Sequence, residues 1–270
     1  MPNDSLVGPA DIAAYKADGV VCLRQVFDHD WLGFLAEAIE LAMAEPGPHA
    51  EEYAAKSGQG RFFGDLEVWL RHEPFPRFAY DSPAAEIAAQ VMGASRINFF
   101  YDQVLVKEPG TAARTPWHQD QPYWAVSGRQ VCSIWTPLDP VAEEVCPEFV
   151  AGSHDWPAHS PYHFMDGSPY RGTGLQQLPD IEAERGHHDI RRFELAPGDC
   201  LVFQAMIVHG APPNRTPSRR RALATRWCGD DARYCVRPGE VGIPTADPGL
   251  RHGDLLDCPR FPLVWRAADE

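Results

Sequence analysis

The chain has 270 residues, 44% of them hydrophobic, enough for a sizeable core and compatible with one large β domain, because all-β sandwiches and barrels run to this length. Its formal net charge of −14 at pH 7 excludes the basic footprint of a nucleic-acid-binding domain and gives no attraction to an anionic membrane surface. No apolar run approaches the ~18 residues of a membrane span, and the N-terminal stretch MPNDSLVGPADIAAYKADG has neither the basic flank nor the apolar segment of a secretory leader.

Residues 9–44 read as a strand flanked by helices. Asp18-Gly19 marks a turn before the β-rich run VVCLRQVF. Asp28 is placed to cap the following helix, in which Trp31, Leu32, Leu35, Ile39 and Ala42 recur at helical spacing and form one core-facing stripe. Asp81-Ser82-Pro83 signals another helix running through AAEIAAQVM to Gly93, with Ser82 as the expected cap. From about residue 97 short β-type runs alternate with turn signals: INFFYDQVLVK, VCSIWTPL, CPEFVAG, RRFEL, CLVFQAMIVH and RALATRWC. Pro197-Gly198-Asp199 is a tight turn between two of them. This texture predicts a β-sandwich or jelly roll. The stretch 154–190, with five histidines, reads as a long excursion between strands of the kind that covers binding sites. The tail from Gly229, rich in Pro, Gly and Asp, reads as ordered coil. The 26 prolines are roughly twice the usual share and favour loops and short strands over long helices. Seven cysteines without a CxxC pair, in an odd count, fit reduced thiols in a cytoplasmic protein.

Three His-x-Asp pairs occur: His118/Asp120, His187/Asp189 and His252/Asp254. Two imidazoles and one carboxylate form the ligand set of a non-haem Fe(II) site that keeps positions open for co-substrate and oxygen. His252 has no histidine after it. His187 sits in the charged, loop-like ERGHHDIRR, where a solvated loop is the better reading. His118 and Asp120 follow an apolar strand, and residues i and i+2 of an extended segment point to one side. His209 ends the apolar run CLVFQAMIVH, ninety-one residues on, and Arg220 follows eleven residues later. On spacing alone a metal site and merely buried or surface histidines both remain open.

The segments DGVVCLRQVF, YDQVLVKEPG, TPWHQDQPYW, FVAGSH, LAPGDCLVFQ and HGAPPNRTPSRRRALATRW, in this order, resemble the phytanoyl-CoA dioxygenase family of Fe(II)/2-oxoglutarate-dependent oxygenases over roughly residues 15–230. The resemblance implies a double-stranded β-helix (jelly roll, cupin-like) with flanking N-terminal helices. It implies a single domain over 1–270, with a helical part to about 95, a jelly-roll core over about 96–230 and a C-terminal coil over 231–270. It implies His118, Asp120 and His209 as iron ligands and Arg220 as partner of the distal carboxylate of 2-oxoglutarate, with Arg219 the fallback and Arg221 a surface charge. Gln103 and Trp135 match positions lining the co-substrate or substrate pocket, and Trp124 a position near the substrate. Two departures stand out. Ala211 replaces a small hydroxyl residue that helps hold 2-oxoglutarate in many relatives, and Glu143-Glu144-Val145-Cys146-Pro147-Glu148 replaces an Asn-Gly-type turn.

The activity so implied is hydroxylation of a C–H bond of a small molecule, using Fe(II), 2-oxoglutarate and O2 and releasing succinate and CO2. Related halogenases lack the carboxylate, so Asp120 argues against halogenation. A cupin-like hydrolase or isomerase would have no use for Arg220 and would need a placed general base. A non-catalytic metabolite sensor would tolerate loss of a ligand, yet all four residues are present. Arg61, Phe63, Tyr123, Trp124 and Arg226 are the residues expected to form an aromatic substrate pocket with a cationic anchor, suited to a small carboxylate or natural-product intermediate. The acidity of the chain weighs against a coenzyme A thioester. No nucleic-acid or membrane partner is expected.

Overall fold

The computed structural model describes residues 6–53, 60–164 and 167–268; the ends of the expected 1–270 span therefore lie outside the described residues. Four helices occupy the N-terminal part: α1 (Pro9–Asp18), α2 (His29–Ala44), α3 (Pro74–Asp81) and α4 (Ala84–Met92). Helix α1 ends at Gly19, whose φ of 81° lets the chain reverse into β1 (Val20–Leu23). A Cβ there would lie 2.4 Å from Nδ1 of His154, so the close approach also needs glycine. Asp28 caps α2 as expected, its carboxylate accepting from the Trp31 amide at 2.9 Å. Leu32, Leu35, Ile39 and Ala42 are buried along one face. Pro83, not Ser82, stands at the N-cap of α4, and the Ser82 hydroxyl just before it accepts from the Ala84 amide at 3.3 Å. Helix α3 had no sequence signal beyond its prolines, yet Pro74 stands in the first turn, where a missing N–H costs nothing. No helix among the described residues is long and apolar enough to cross a membrane.

The remaining strands are β2 (Ala50–Glu52), β3 (Phe62–Leu66), β4 (Arg96–Lys107), β5 (Thr115–His118), β6 (Val126–Ser127), β7 (Val131–Pro137), β8 (Glu148–Val150), β9 (Ile190–Arg191), β10 (Cys200–Gln204), β11 (His209–Ala211), β12 (Arg220–Cys228), β13 (Arg233–Tyr234) and β14 (Leu263–Arg266). The large sheet has the order β1-β10-β7-β12-β4-β3-β2, with β14 added to the start of β4. A smaller sheet, β5-β11-β8-β9, faces it. The strands of both sheets pair antiparallel among the described residues, and the fold is a jelly roll with helices outside.

Period-two alternation divides the large sheet between two jobs. Cys200 and Val202 of β10, Cys132 and Ile134 of β7, and Leu223 and Trp227 of β12 face the helices. Leu201 and Phe203, Trp135, and Ala222 and Ala224 face the smaller sheet. Strands β4 and β12 shift register where Arg226 pairs with Tyr101 and Trp227 with Phe99. The shift swaps the parity of β4, so Phe99 and Val104 both reach the helical side.

Three expectations are corrected. The run Cys200–His209 is not one strand: Gln204–Val208 forms a turn, with the Ile207 amide on Gln204 O at 3.0 Å, and His209 opens a strand of the other sheet. Of RRFEL only Arg191 lies in a strand, while Leu195 makes an isolated bridge to Val141. The tail is not only coil. It supplies β13 and β14, and Ile243, Leu256 and Phe261 are buried from it.

Candidate metal centre and pocket

His118 closes β5 and His209 opens β11, and the two are direct cross-strand partners. Neighbours across an antiparallel pair bring their side chains within ~5 Å, and here the ring centroids are 4.2 Å apart. Gly210 stands beside them at the point where the register shifts. A Cβ there would meet the Thr115 carbonyl at 2.9 Å, so glycine permits β11 to lie this close to β5. Asp120 reaches the same point differently from expected. The chain leaves the strand after His118, and Asp120 has φ −71° and ψ −49° at the head of a short 3-10 turn. Its Oδ1 lies 3.3 Å from His118 Nε2 and 3.8 Å from His209 Nε2.

All three ligand atoms fall within 4.8 Å of one another, and all three residues are buried. The Nδ1 positions are committed to backbone carbonyls, His118 to Pro116 at 2.8 Å and His209 to Ile207 at 3.1 Å. With N–H at Nδ1, each ring presents its Nε2 lone pair to the common point. Ser133 donates to Asp120 Oδ2 at 3.2 Å, which leaves Oδ1 inward. Burial pushes His209 down to about 4, so it is a neutral ligand near pH 7. Burial works to raise Asp120, but His209, His118 and Arg226 outweigh it and hold the carboxyl well below the usual range. Two imidazoles turned inward by Nε2 and an ionised carboxylate, with open space beside them, fit a divalent transition metal. The other two His-x-Asp pairs gather no third ligand among the described residues.

The triad lies in a cavity of about 390 Å3 between the sheets. Gln103, Tyr123, Trp124, Trp135, Arg220 and Arg226 all line it. Arg220, the first residue of β12, is 7% exposed. Its guanidinium lies 5.8 Å from the Trp135 ring and donates to the Val145 carbonyl. The neighbours differ. Arg219 pairs with Glu40 and Glu108, each at 2.6 Å, and Arg221 with Asp139 at 2.8 Å. Strand alternation thus turns Arg220 inward and its two neighbours outward. The Glu143–Glu148 departure builds the wall beside it, through Val145 and Pro147. Ala211 also lines the cavity; its cross-strand partner Thr115 sets a hydroxyl residue next to the position that lacks one.

Arg61 and Phe63 are corrections. Phe63 is 1% exposed in the core beneath the helices. Arg61 is exposed, paired with Glu52 at 2.6 Å and stacked on Phe63 at 4.8 Å. Their shared parity on β3 turns both away from the cavity, whereas Phe62 and Leu66, of opposite parity, line it.

Several contributors had carried no sequence argument. Tyr162, His163, Phe164 and Tyr170 come from the excursion between β8 and β9, whose covering role was expected but not its residues. Phe164 stands edge-on to His118 at 4.8 Å. The Tyr162 amide donates to the Tyr123 hydroxyl at 3.0 Å, which donates in turn to Tyr162 O. Gly242 and Ile243 come from the tail, with both amides on Tyr123 O. Lys107, 1% exposed, donates to the carbonyls of Ala113 and Pro212, each at 3.0 Å, and so ties β4 to the segments flanking β5 and β11.

Comparison with known proteins agrees with this geometry. The family model "Phytanoyl-CoA dioxygenase (PhyH)" matches residues 15–222. The "Dioxygenase lolE1" of Epichloe uncinata is 25% identical over 224 residues, covering 80% of this chain and 81% of its own length. Among solved structures, the α-ketoglutarate-dependent carbocyclase SnoK from nogalamycin biosynthesis aligns with a TM-score of 0.77 at 21% identity, covering 96% of this chain and 97% of that one. The epimerase SnoN, in complex with Fe3+, α-ketoglutarate and nogalamycin RO, aligns with a TM-score of 0.74 at 24% identity, covering 95% and 98%. The chain belongs to the phytanoyl-CoA dioxygenase family of Fe(II)/2-oxoglutarate-dependent oxygenases.

Proposed function

We propose that the chain is a 2-oxoglutarate-dependent hydroxylase acting on a C–H bond of a small molecule in the cavity between its sheets. The observation that carries this reading is the pairing of a buried His-Asp-His cluster with Arg220, buried without a carboxylate partner at the start of β12, in the same cavity. His118, Asp120 and His209 would hold Fe(II), and Arg220 would receive the distal carboxylate of 2-oxoglutarate through charge-assisted hydrogen bonds. When bound, the metal and co-substrate supply O2 activation, with conversion of 2-oxoglutarate to succinate and CO2.

The chain's own residues do the rest. The Pro116 and Ile207 carbonyls fix both imidazole tautomers. Ser133 holds the Asp120 carboxylate in one rotation. Trp135 supports the Arg220 guanidinium, and Gln103 offers a polar group to the cavity. Tyr123, Trp124 and the aromatic residues of the excursion exclude water from one side. Contributions from both ends of the chain to one sheet and one cavity support reading it as a single domain. Seven free thiols support a reducing compartment, the cytoplasm.

The test is succinate formation by anaerobically Fe(II)-loaded protein given 2-oxoglutarate and O2, beside Asp120→Ala and Arg220→Ala. Succinate above both variants is expected, even without substrate. No turnover together with no Fe(II)-dependent 2-oxoglutarate binding would overturn the reading in favour of a hydrolase or a sensor. Once a substrate is found, product mass separates hydroxylation, which adds an oxygen, from cyclisation or epimerisation.

A further inference from the structure

A guanidinium is seldom buried without a counter-charge, because the desolvation cost is offset only by an opposite charge or a full set of acceptors. Arg226 is such a case. It is 5% exposed and lines the cavity. One of its terminal nitrogens donates to Ala224 O at 2.9 Å and the other to Gln103 Oε1 at 3.0 Å. Its plane lies over the Tyr101 ring at 4.5 Å. Its Nε is buried with no hydrogen-bond partner. These contacts hold the head in place, yet none brings a negative charge, and among the described residues Arg226 forms no ion pair.

The two unpaired arginines of β12 lean apart. Arg220 packs on Trp135 of β7, while Arg226 packs on Tyr101 and bonds Gln103 of β4. Those strands flank β12 on opposite sides, about 9–10 Å from each other. With iron and 2-oxoglutarate in the roles proposed above, the charge of the ion is balanced by Asp120 and one carboxylate of the co-substrate, and Arg220 by the other. Among the described residues Arg226 is then a buried charge of the cavity with no ion-pair partner, and it feels Asp120 only as a longer-range field. Around it the wall is ring-rich: Phe62, Tyr101, Tyr123, Trp124 and Tyr170 line the space, with Tyr101 edge-on to Trp124 at 5.4 Å and Tyr123 to Tyr170 at 5.2 Å. Glu51, exposed, also lines the cavity and disfavours ligands of high negative charge.

We infer that the substrate is a monoanionic, ring-bearing organic acid, whose carboxylate or ionised enol docks on Arg226 and Gln103 while its apolar body lies among the aromatic side chains. This rests on the oxygenase reading of the same site. It makes Arg226 a specificity-determining residue.

The experiment titrates metal-free protein with two matched probe pairs, benzoate against benzamide and 2-naphthoate against 2-naphthamide, followed by tryptophan fluorescence. Wild type, Arg226→Met, Arg226→Lys and Arg220→Met are compared, with melting temperatures confirming that each is folded. In wild type at least one acid binds about tenfold or more tighter than its amide, as a charge-assisted pair requires. Arg226→Met abolishes that preference, Arg226→Lys keeps part of it, and Arg220→Met retains it. Fe(II)-dependent 2-oxoglutarate binding, read by anaerobic calorimetry, changes little in Arg226→Met. Equal binding of acids and amides by wild type, or a preference that survives Arg226→Met, overturns the inference. So does Arg226→Met losing 2-oxoglutarate while keeping the acid preference, which would assign the arginine to the co-substrate. The probe arms use no iron and no turnover, so their failure is distinct from a failure to form succinate.

Discussion

Arg220→Met separates a co-substrate anchor from a structural strut, because the two roles predict opposite signs for stability. Burial presses the guanidinium down to about 10, so it stays charged at pH 7 at a cost. A fall from 12.5 to about 10 corresponds to about 3 kcal/mol. Methionine fills similar length beside Trp135 without that penalty, and replacing buried charge by apolar side chains is often stabilising by about 1–4 kcal/mol. Against this stands the bond to Val145 O, whose loss leaves a buried carbonyl short of a donor and returns about 1 kcal/mol. The net expectation for metal-free protein is a variant about 1–2 kcal/mol more stable than wild type, measured from urea midpoints and slopes. The same change removes the partner of the distal carboxylate. Truncating one side of a buried charge pair costs about 2–5 kcal/mol, so Fe(II)-dependent 2-oxoglutarate affinity should fall roughly 30-fold to several thousand-fold in anaerobic calorimetry. A variant that is less stable than wild type while 2-oxoglutarate binding is unchanged would refute the reasoning and make Arg220 a prop for the Glu143–Glu148 wall.

Two further perturbations test the scaffold around the site. Gly210→Ala places a Cβ 2.9 Å from the Thr115 carbonyl and must push β11 off β5; Co(II) affinity, read by absorbance, should fall roughly tenfold or more while the protein stays folded, and an unchanged affinity would show that the ladder yields without separating the histidines. Asp199 ties the Pro197-Gly198-Asp199 turn to β1, accepting from the amides of Ala196 and Gln25 at 3.0 Å and from Arg24 at 2.8 Å. Burial works to raise its pKa, but these donors outweigh it and hold the carboxyl below its ordinary value. A depressed folded-state pKa gives stability that is complete above the unfolded value, about 3.9, and is lost as pH falls through the folded one. Asp199→Asn should therefore cost about 1 kcal/mol at pH 7, with the Arg24 share reduced by its exposure, and the deficit should shrink as pH is taken toward 3. A deficit independent of pH would place the effect outside the carboxylate charge.

What was legible in the chain and what was not divides along a physical line. The candidates His118, Asp120, His209 and Arg220 come from spacing joined to a family resemblance, and period two explains why Arg220 faces the opposite side from its two ion-paired neighbours. Phe63 failed where Phe62 was needed because alternation says which residues share a face but not which face is inside. That is decided by helices packing on one side of β3, a contact made by chain far from it. Asp120 reached the right point for the wrong reason: extended geometry was assumed, and the chain in fact turns there. The aromatic wall was hidden more deeply, since Tyr170 and Ile243 come from segments whose regular hydrogen bonding is sparse, Tyr170 meeting Tyr123 by a ring contact and Ile243 joined to Tyr123 and Ala125 by backbone bonds. A candidate ligand set at fixed spacing is thus readable from sequence once a family resemblance joins the spacing. Substrate shape, set by loops folded against one another, is not, and Arg226 lies on the boundary: its strand and its charge could be read, but its want of a counter-ion appears only once its neighbours are in place.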